Sequence, residues 1–261
     1  MRGAEARSPY GGQGQVVYDD DDDHDQVVYL SNVSWEDYER IDALRGESPR
    51  PRLTYVEGTL ELMTTGTPHA SDKKKLARIF EAYLDHLGIF VEGVGSWTVH
   101  NKKKKLGAEA DECYVFTTVP VGLSVKAPDL VIEVVYSSGS LDKLEVWRKL
   151  GAKEVWFWQR GEIAVFVRRG ERFASARRSG LVPALDLELI VRCMHEKTQS
   201  AAVQRCVRRS RRSEADRRNG SPDCIRAART SDRPDLLAVD QTAGGNSGCW
   251  AHKRRGDAAL P

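Results

Sequence analysis

Hydrophobic and polar positions follow recognisable periods between about residue 27 and residue 192, and lose them outside that range. Ser34 opens a helix that runs to about Leu44, with Asp37 three residues on as its capping-box partner and Val33 and Tyr38 placed as a staple. Leu53 to Val56 and Thr59 to Met63 read as short strands around Glu57-Gly58, a hairpin signal. Thr67-Pro68 starts a second helix with proline at its first position. Leu76, Ile79, Phe80, Tyr83, Leu84 and Leu87 then recur at helical spacing up to Gly88, the expected left-handed end. Three strand-like segments follow: Ile89 to Val99, Glu109 to Phe116 and Asp129 to Tyr136. The third is apolar on both faces, which marks a central strand covered on both sides. A short helix from Ser140 to Gly151 and a strand from Glu154 to Gln159 come next. Glu162 to Val167 and Arg172 to Ala176 form a hairpin-like extension, and Leu185 to Val191 closes the body. The pattern predicts an α/β domain whose core runs helix, three strands, helix, strand, with no internal repeat.

Charge alters this picture at the two ends. The 261 residues carry 40 Lys/Arg and 38 Asp/Glu, but the near-balance hides an asymmetry. From Glu196 onward there are 14 Lys/Arg and 8 Asp/Glu, a net of +6, whereas the chain before it is net −4. Five adjacent carboxylates, Asp19 to Asp23, repel one another and stay solvated. Val207 to Arg218, VRRSRRSEADRR, offers little to bury. The expected organisation is a disordered acidic segment (1–26), a folded domain (27–192) and a disordered basic tail (193–261). No run approaches the ~18 apolar residues of a membrane span, and the first residues lack the apolar stretch of a signal peptide. The cysteines, Cys113, Cys193, Cys206, Cys224 and Cys249, are odd in number and form no CxxC pair. A disulfide framework is therefore not expected, and a cytoplasmic location without membrane partners is.

Candidate chemistry lies in the strands. A carboxylate in a covered strand is costly unless it is paired or binds a cation. Asp111 lies in AEADECYVF, and Asp129 and Glu133 lie in APDLVIEVV. Four residues apart on one strand, Asp129 and Glu133 are separated by about 13 Å, too far to share an ion. If the second and third strands pair antiparallel with Phe116 opposite Asp129, Asp111 falls opposite Val134, one residue from Glu133. With strands ~4.8 Å apart, those two carboxylates can grip one hard cation. Lys143, in the first turn of the Ser140 helix, forms either a surface ion pair with Asp142 or a cation aimed at the carboxylate pair. Two lysine runs, Lys73, Lys74, Lys75 and Lys102, Lys103, Lys104, Lys105, are expected at the same end of the domain, as a phosphate-positioning rim. His69 and His100 are expected near that end, where either could act as a helper base, but a lone histidine is more often a surface or capping residue, and that reading is preferred. Trp147, Trp156 and Trp158 read as core.

The ordered set YVEGTLELM, TPHASDKKKLARIFEAYL, AEADECYVF, APDLVIEVV and LDKLEVWRKLGAKEVWFW resembles the Uma-type restriction endonuclease family of the PD-(D/E)XK nuclease superfamily, over about Val27 to Val191. The resemblance implies a restriction-endonuclease-like core with a mixed central sheet and flanking hairpins. It also implies an endonuclease that hydrolyses phosphodiester bonds of DNA with Mg²⁺ or Mn²⁺. Asp111 matches the Asp of the PD element and Glu133 the acid of the (D/E)XK element, with the carbonyl of Val134 as a further metal ligand. Ala110 replaces the usual proline. Val135 stands where the superfamily has its lysine, and Lys143 matches the lysine that the family takes from the following helix. DNA is the implied partner, with a homodimer left open. The alternative is a catalytically silent nucleic-acid-binding module of the same fold.

Overall fold

A computed structural model describes residues 24–119, 125–136 and 141–218. The acidic run Asp19 to Asp23, Ser140 and the tail beyond Arg218 lie outside the described residues. The chain divides into two compact units, 1–214 and 215–261; the description that follows is of the first.

Two sheets build it. The strands β1 (Gln26–Leu30), β2 (Arg52–Val56), β3 (Thr59–Thr64), β5 (Thr98–Asn101) and β6 (Leu106–Glu109) form a five-stranded antiparallel sheet in the order β1-β3-β2-β6-β5. The second sheet comprises β4 (Glu92–Gly93), β7 (Glu112–Val115), β8 (Leu130–Val135), β9 (Glu154–Gln159), β10 (Glu162–Arg169) and β11 (Arg172–Ala176), in the order β11-β10-β9-β8-β7-β4. It is mixed: β8 and β9 run parallel, joined through helix α3 (Lys143–Leu150), and its other pairs are antiparallel. Helix α2 (Thr67–Leu87) precedes this sheet, so the expected core order of helix, three strands, helix, strand is present as α2-β4-β7-β8-α3-β9.

Burial orders the layers. Leu76, Ile79, Phe80 and Tyr83 of α2 pack with Ile132, Val134 and Trp156 on one face of the six-stranded sheet, where Ile190 of α4 (Leu187–Met194) also lies. Val131 and Val155 on the other face pack with Val146 and Trp147 of α3 and with Val99, Leu106 and Ala108 of the five-stranded sheet. Trp35 and Tyr38 of helix α1 (Trp35–Arg45) cover Leu53, Tyr55 and Leu60 on that sheet's outer face. The sheet between α1 and α3 is thus buried on both faces, and its period-2 alternation turns Thr54 and Glu61 inward, opposite the residues that meet α1.

Four expectations are corrected. The segments 89–99 and 109–116 are not single strands: each breaks and changes sheets, at Gly95-Ser96 and at Ala110-Asp111. Gly95, at φ 65°, supplies the left-handed residue the first break needs. The β7–β8 register pairs Cys113 with Val131, one residue away from the expected alignment, and its continuation sets Asp111 opposite Glu133 itself. The short helix opens at Lys143, capped by the Asp142 carboxylate, which accepts the Glu145 N–H at 3.0 Å. The expected boundaries at residues 26 and 193 both fall inside folded structure. Asp25 and β1 belong to the fold, and α5 (Gln199–Arg218) is a helix with Ala202, Cys206 and Ser210 buried. Those three residues, four apart, form a narrow stripe of small side chains, which a search for bulky apolar residues passes over.

A 24–218 fragment should therefore melt at a higher temperature than a 27–192 fragment. The shorter one lacks the Asp25 contacts and the buried Met194 and Cys206 side chains, a loss of roughly 3 kcal/mol at about 1.5–3 kcal/mol per buried apolar side chain. Equal thermal midpoints by circular dichroism would contradict the docking of α5.

Candidate active site

Asp111 sits where the chain leaves one sheet for the other, and its carboxylate is fully buried. Oδ1 receives the Arg52 guanidinium from β2 and lies 2.7 Å from His69 Nε2 at the start of α2. Oδ2 accepts the backbone N–H of Val134 on β8 at 2.8 Å. His69 is held on its other side by Asp25 Oδ2, 2.8 Å from Nδ1, and Asp25 Oδ1 accepts the Gly66 N–H at the α2 N-terminus. Burial alone would raise the Asp111 pKa. Arg52 and His69 reverse the sign and hold it well below the usual carboxylate range. Burial works against a charged His69, but its hydrogen bonds to Asp111 and Asp25 raise its pKa and favour the imidazolium.

Glu133, on the α3 face of β8, is buried as well. The indole N–H of Trp147, one turn into α3, donates to its Oε1 at 2.6 Å. Burial pushes the Glu133 carboxyl up to about 7 against the pull of Lys143, and the Asp111 charge adds to the rise. Lys143 does not pair with Asp142. Its ammonium reaches across to the five-stranded sheet, 2.7 Å from Glu61 Oε1 and 2.6 Å from Thr54 Oγ1. Thr54 and Glu61 are register partners on β2 and β3, so the lysine bridges α3 to a pre-formed pair.

Asp111, Glu133, Val134, Lys143 and Glu61 line one cavity of about 410 Å³ between the two sheets, whose remaining wall is largely apolar, with Val27 and Phe157 among its residues. The four central site residues expected from sequence are thus brought together. The lysine runs are not. Lys102 to Lys105 form the turn at the far end of the β5–β6 hairpin, up to ~20 Å of extended chain from Asp111. There Lys102 pairs with Glu39 and Lys104 donates to the Lys149 carbonyl. Lys75 donates to the carbonyls of Met194 and Glu196, closing the end of α4. Lys74 is exposed. Lys73 lies near the site: it reaches Ser96 Oγ at 2.8 Å, and that hydroxyl donates to the Asp111 carbonyl. His100 is bonded to Tyr38 on the outer layer, away from the cavity.

Arg52, His69, Asp25, Glu61 and Trp147 were missed as site residues. Arg52, Thr54 and Glu61 had a signal, because strand alternation puts them opposite Leu53, Tyr55 and Leu60. His69 was expected at this end, but as a surface or capping residue, whereas it is buried and bonded to Asp111; Asp25 had no signal, since only the tertiary fold brings it to His69.

Among the described residues no three His, Cys, Asp or Glu side chains form a metal-holding group. The donor set is nevertheless suited to one hard cation. Glu133 Oε2 receives no donor among the described residues, Asp111 Oδ2 receives one, and both are oxygen ligands of the kind Mg²⁺ takes. The carboxylates of Asp25, Glu61, Asp111 and Glu133 also outnumber the permanent cations Arg52 and Lys143, with His69 between them.

Residues 35–192 match the family described as "Uma2: Putative restriction endonuclease". That is more than half of the chain, and the chain belongs to this family, a family of nucleases by its description. A solved structure from Anabaena variabilis, described as a putative nuclease belonging to DUF820, is similar at 13% identity with a TM-score of 0.42, over 67% of this chain and 99% of that one. No curated protein matches the chain.

Because Glu133 binds its proton more tightly folded than unfolded, its contribution to stability is present below the unfolded value of 4.5 and is lost as pH rises through about 7. Glu133→Gln should therefore stabilise the protein at pH 8 in EDTA by on the order of 2 kcal/mol, and the gain should vanish near pH 4. Denaturant unfolding at the two pH values tests this. A variant less stable than the parent at pH 8 would contradict the assignment.

Proposed function

We propose that the protein is a divalent-metal-dependent endonuclease that hydrolyses phosphodiester bonds of DNA. The observation that carries the reading is the convergence of Asp111, Glu133 and Lys143 on one cavity. Asp111, Glu133 and the Val134 carbonyl would hold Mg²⁺ or Mn²⁺. Bound there, the ion would supply Lewis acidity and an acidified water. Arg52 and His69 fix Asp111 from two elements and keep it ionised. Trp147 orients Glu133. Lys143, held by Glu61 and Thr54, places a positive charge on the opposite wall, where it would neutralise charge developing on the phosphoryl oxygens. The apolar remainder of the cavity limits water around that charge. Lys73 and Lys74, one turn along α2 from His69, are the lysines placed to meet neighbouring phosphates. The free, buried Cys113, Cys193 and Cys206 fit a cytoplasmic protein, and no described helix is long and apolar enough to cross a membrane.

A second reading, a catalytically silent nucleic-acid-binding module, is favoured by one observation: Asp111 is already neutralised by Arg52 and His69. The two readings separate in a cleavage assay on plasmid and single-stranded DNA with Mg²⁺, Mn²⁺ or EDTA. Cleavage with metal and none in EDTA is expected. Lys143→Ala should lower the rate by about two orders of magnitude or more. Lys149→Ala, whose ammonium pairs with the exposed Glu57, should change it little. DNA binding without cleavage under any metal would select the silent module. Equal rates for the two lysine variants would remove Lys143 from the mechanism.

A further inference from the structure

The family match ends at residue 192, and an ordered helix follows it. Helix α5 is fastened by more than its buried stripe of Ala202, Cys206 and Ser210. Arg78 on α2 donates to Gln199 at its first turn, at 3.1 Å. Lys75, one turn earlier on α2, holds the Met194 and Glu196 carbonyls that lead into it. One flank of α5 presents Arg205, Arg208, Arg209 and Arg212, which line one shallow groove, with Arg211 further round the exposed side. Arg205 is paired with Glu196. Among the described residues Arg208, Arg209, Arg211 and Arg212 have no acidic partner, and all four are exposed.

Like charges at this spacing repel and weaken an isolated helix. Here burial of Ala202 and Cys206 in the cluster with α2 and α4 residues offsets that repulsion and holds the helix backbone that carries the row. From Arg208 to Arg212 the helix rises about 6 Å, so their guanidinium groups form one compact cluster that neighbouring phosphates of a strand can share. Guanidinium groups bind phosphate oxygens in bidentate fashion. The exposed side carries no aromatic or long aliphatic residue to insert into a lipid interface, nor an apolar anchor for a peptide partner. Its chemistry is that of phosphate contact without sequence readout.

We propose that α5 is a second nucleic-acid contact, in which Arg208, Arg209 and Arg212 bind the phosphate backbone outside the reactive cavity. Its role as a substrate-holding surface rests on the nuclease reading, but the binding itself is separately measurable. The test is fluorescence anisotropy of a labelled 30-base-pair duplex (a length of about three turns), titrated with full-length protein in EDTA across ~50–200 mM NaCl. A triple variant, Arg208→Gln, Arg209→Gln and Arg212→Gln, is compared with a charge-matched one, Arg169→Gln, Arg172→Gln and Arg178→Gln, on the β10–β11 hairpin and the loop after it. Circular dichroism checks that both fold.

The α5 variant should reduce the slope of log affinity against log salt by about 2–3, because each phosphate contact contributes ~0.9. It should bind at least ~10-fold more weakly at the lowest salt, while the charge-matched variant stays within one unit of the parent slope. Equal slopes for the parent and the α5 variant overturn the proposal, as does a parent protein that binds anionic lipid vesicles through these arginines but not the duplex. If the parent cleaves nothing with any metal and the α5 variant still loses its slope, the nuclease reading fails and this inference stands. If cleavage is present and the slope is unchanged, this inference alone fails.

Discussion

One buried carboxylate ties the architecture together. Asp111 is bonded at once to Arg52 of the five-stranded sheet, to His69 at the start of α2 and to the Val134 amide of the six-stranded sheet. It lies at the residue where the chain passes between the sheets. Removing it would strand Arg52, a buried guanidinium, and breaking such a pair commonly costs about 3–5 kcal/mol. The same anchoring aligns β7 with β8 so that Glu133 comes opposite Asp111. The joint between layers and the proposed reactive centre are thus one feature.

Charge in the cavity is arranged at a cost to stability. Glu133 is raised toward neutrality by burial, and its counter-charge Lys143 is anchored mainly on Glu61 and Thr54. A buried carboxylate in a largely apolar wall, with one oxygen receiving no donor among the described residues, adds nothing to packing. It gains a purpose if a cation completes it, since an ion would remove the penalty that burial imposes. Sites of this kind trade stability for function.

How much of this was legible follows from what each residue answers to. Asp111, Glu133 and Lys143 stand in ordered motifs, and the doubly apolar β8 marked the central strand; these depend on local pattern. The breaks at Gly95-Ser96 and Ala110-Asp111 were invisible because both halves of each segment have strand composition, and only the competition between two sheets for partners divides them. Lys102 to Lys105 went astray for that reason: a single long strand would have brought the turn before it to the wrong end. Asp25 was hidden by its neighbourhood, since it follows the acidic run Asp19 to Asp23 in sequence, and α5 by the small size of the residues with which it docks. Arg52, Thr54 and Glu61 were within reach as one face of the hairpin, opposite Leu53, Tyr55 and Leu60, but alternation reads as a solvated face, and only the second layer buries it.

The central claim is that Asp111 and Glu133 jointly hold a divalent ion. Anomalous diffraction from crystals soaked in Mn²⁺ tests it most directly. A peak is expected in the cavity about 2.0–2.6 Å from one oxygen of each carboxylate. A cavity without a peak at saturating Mn²⁺, with Asp111 still bonded to Arg52 and His69, would contradict it.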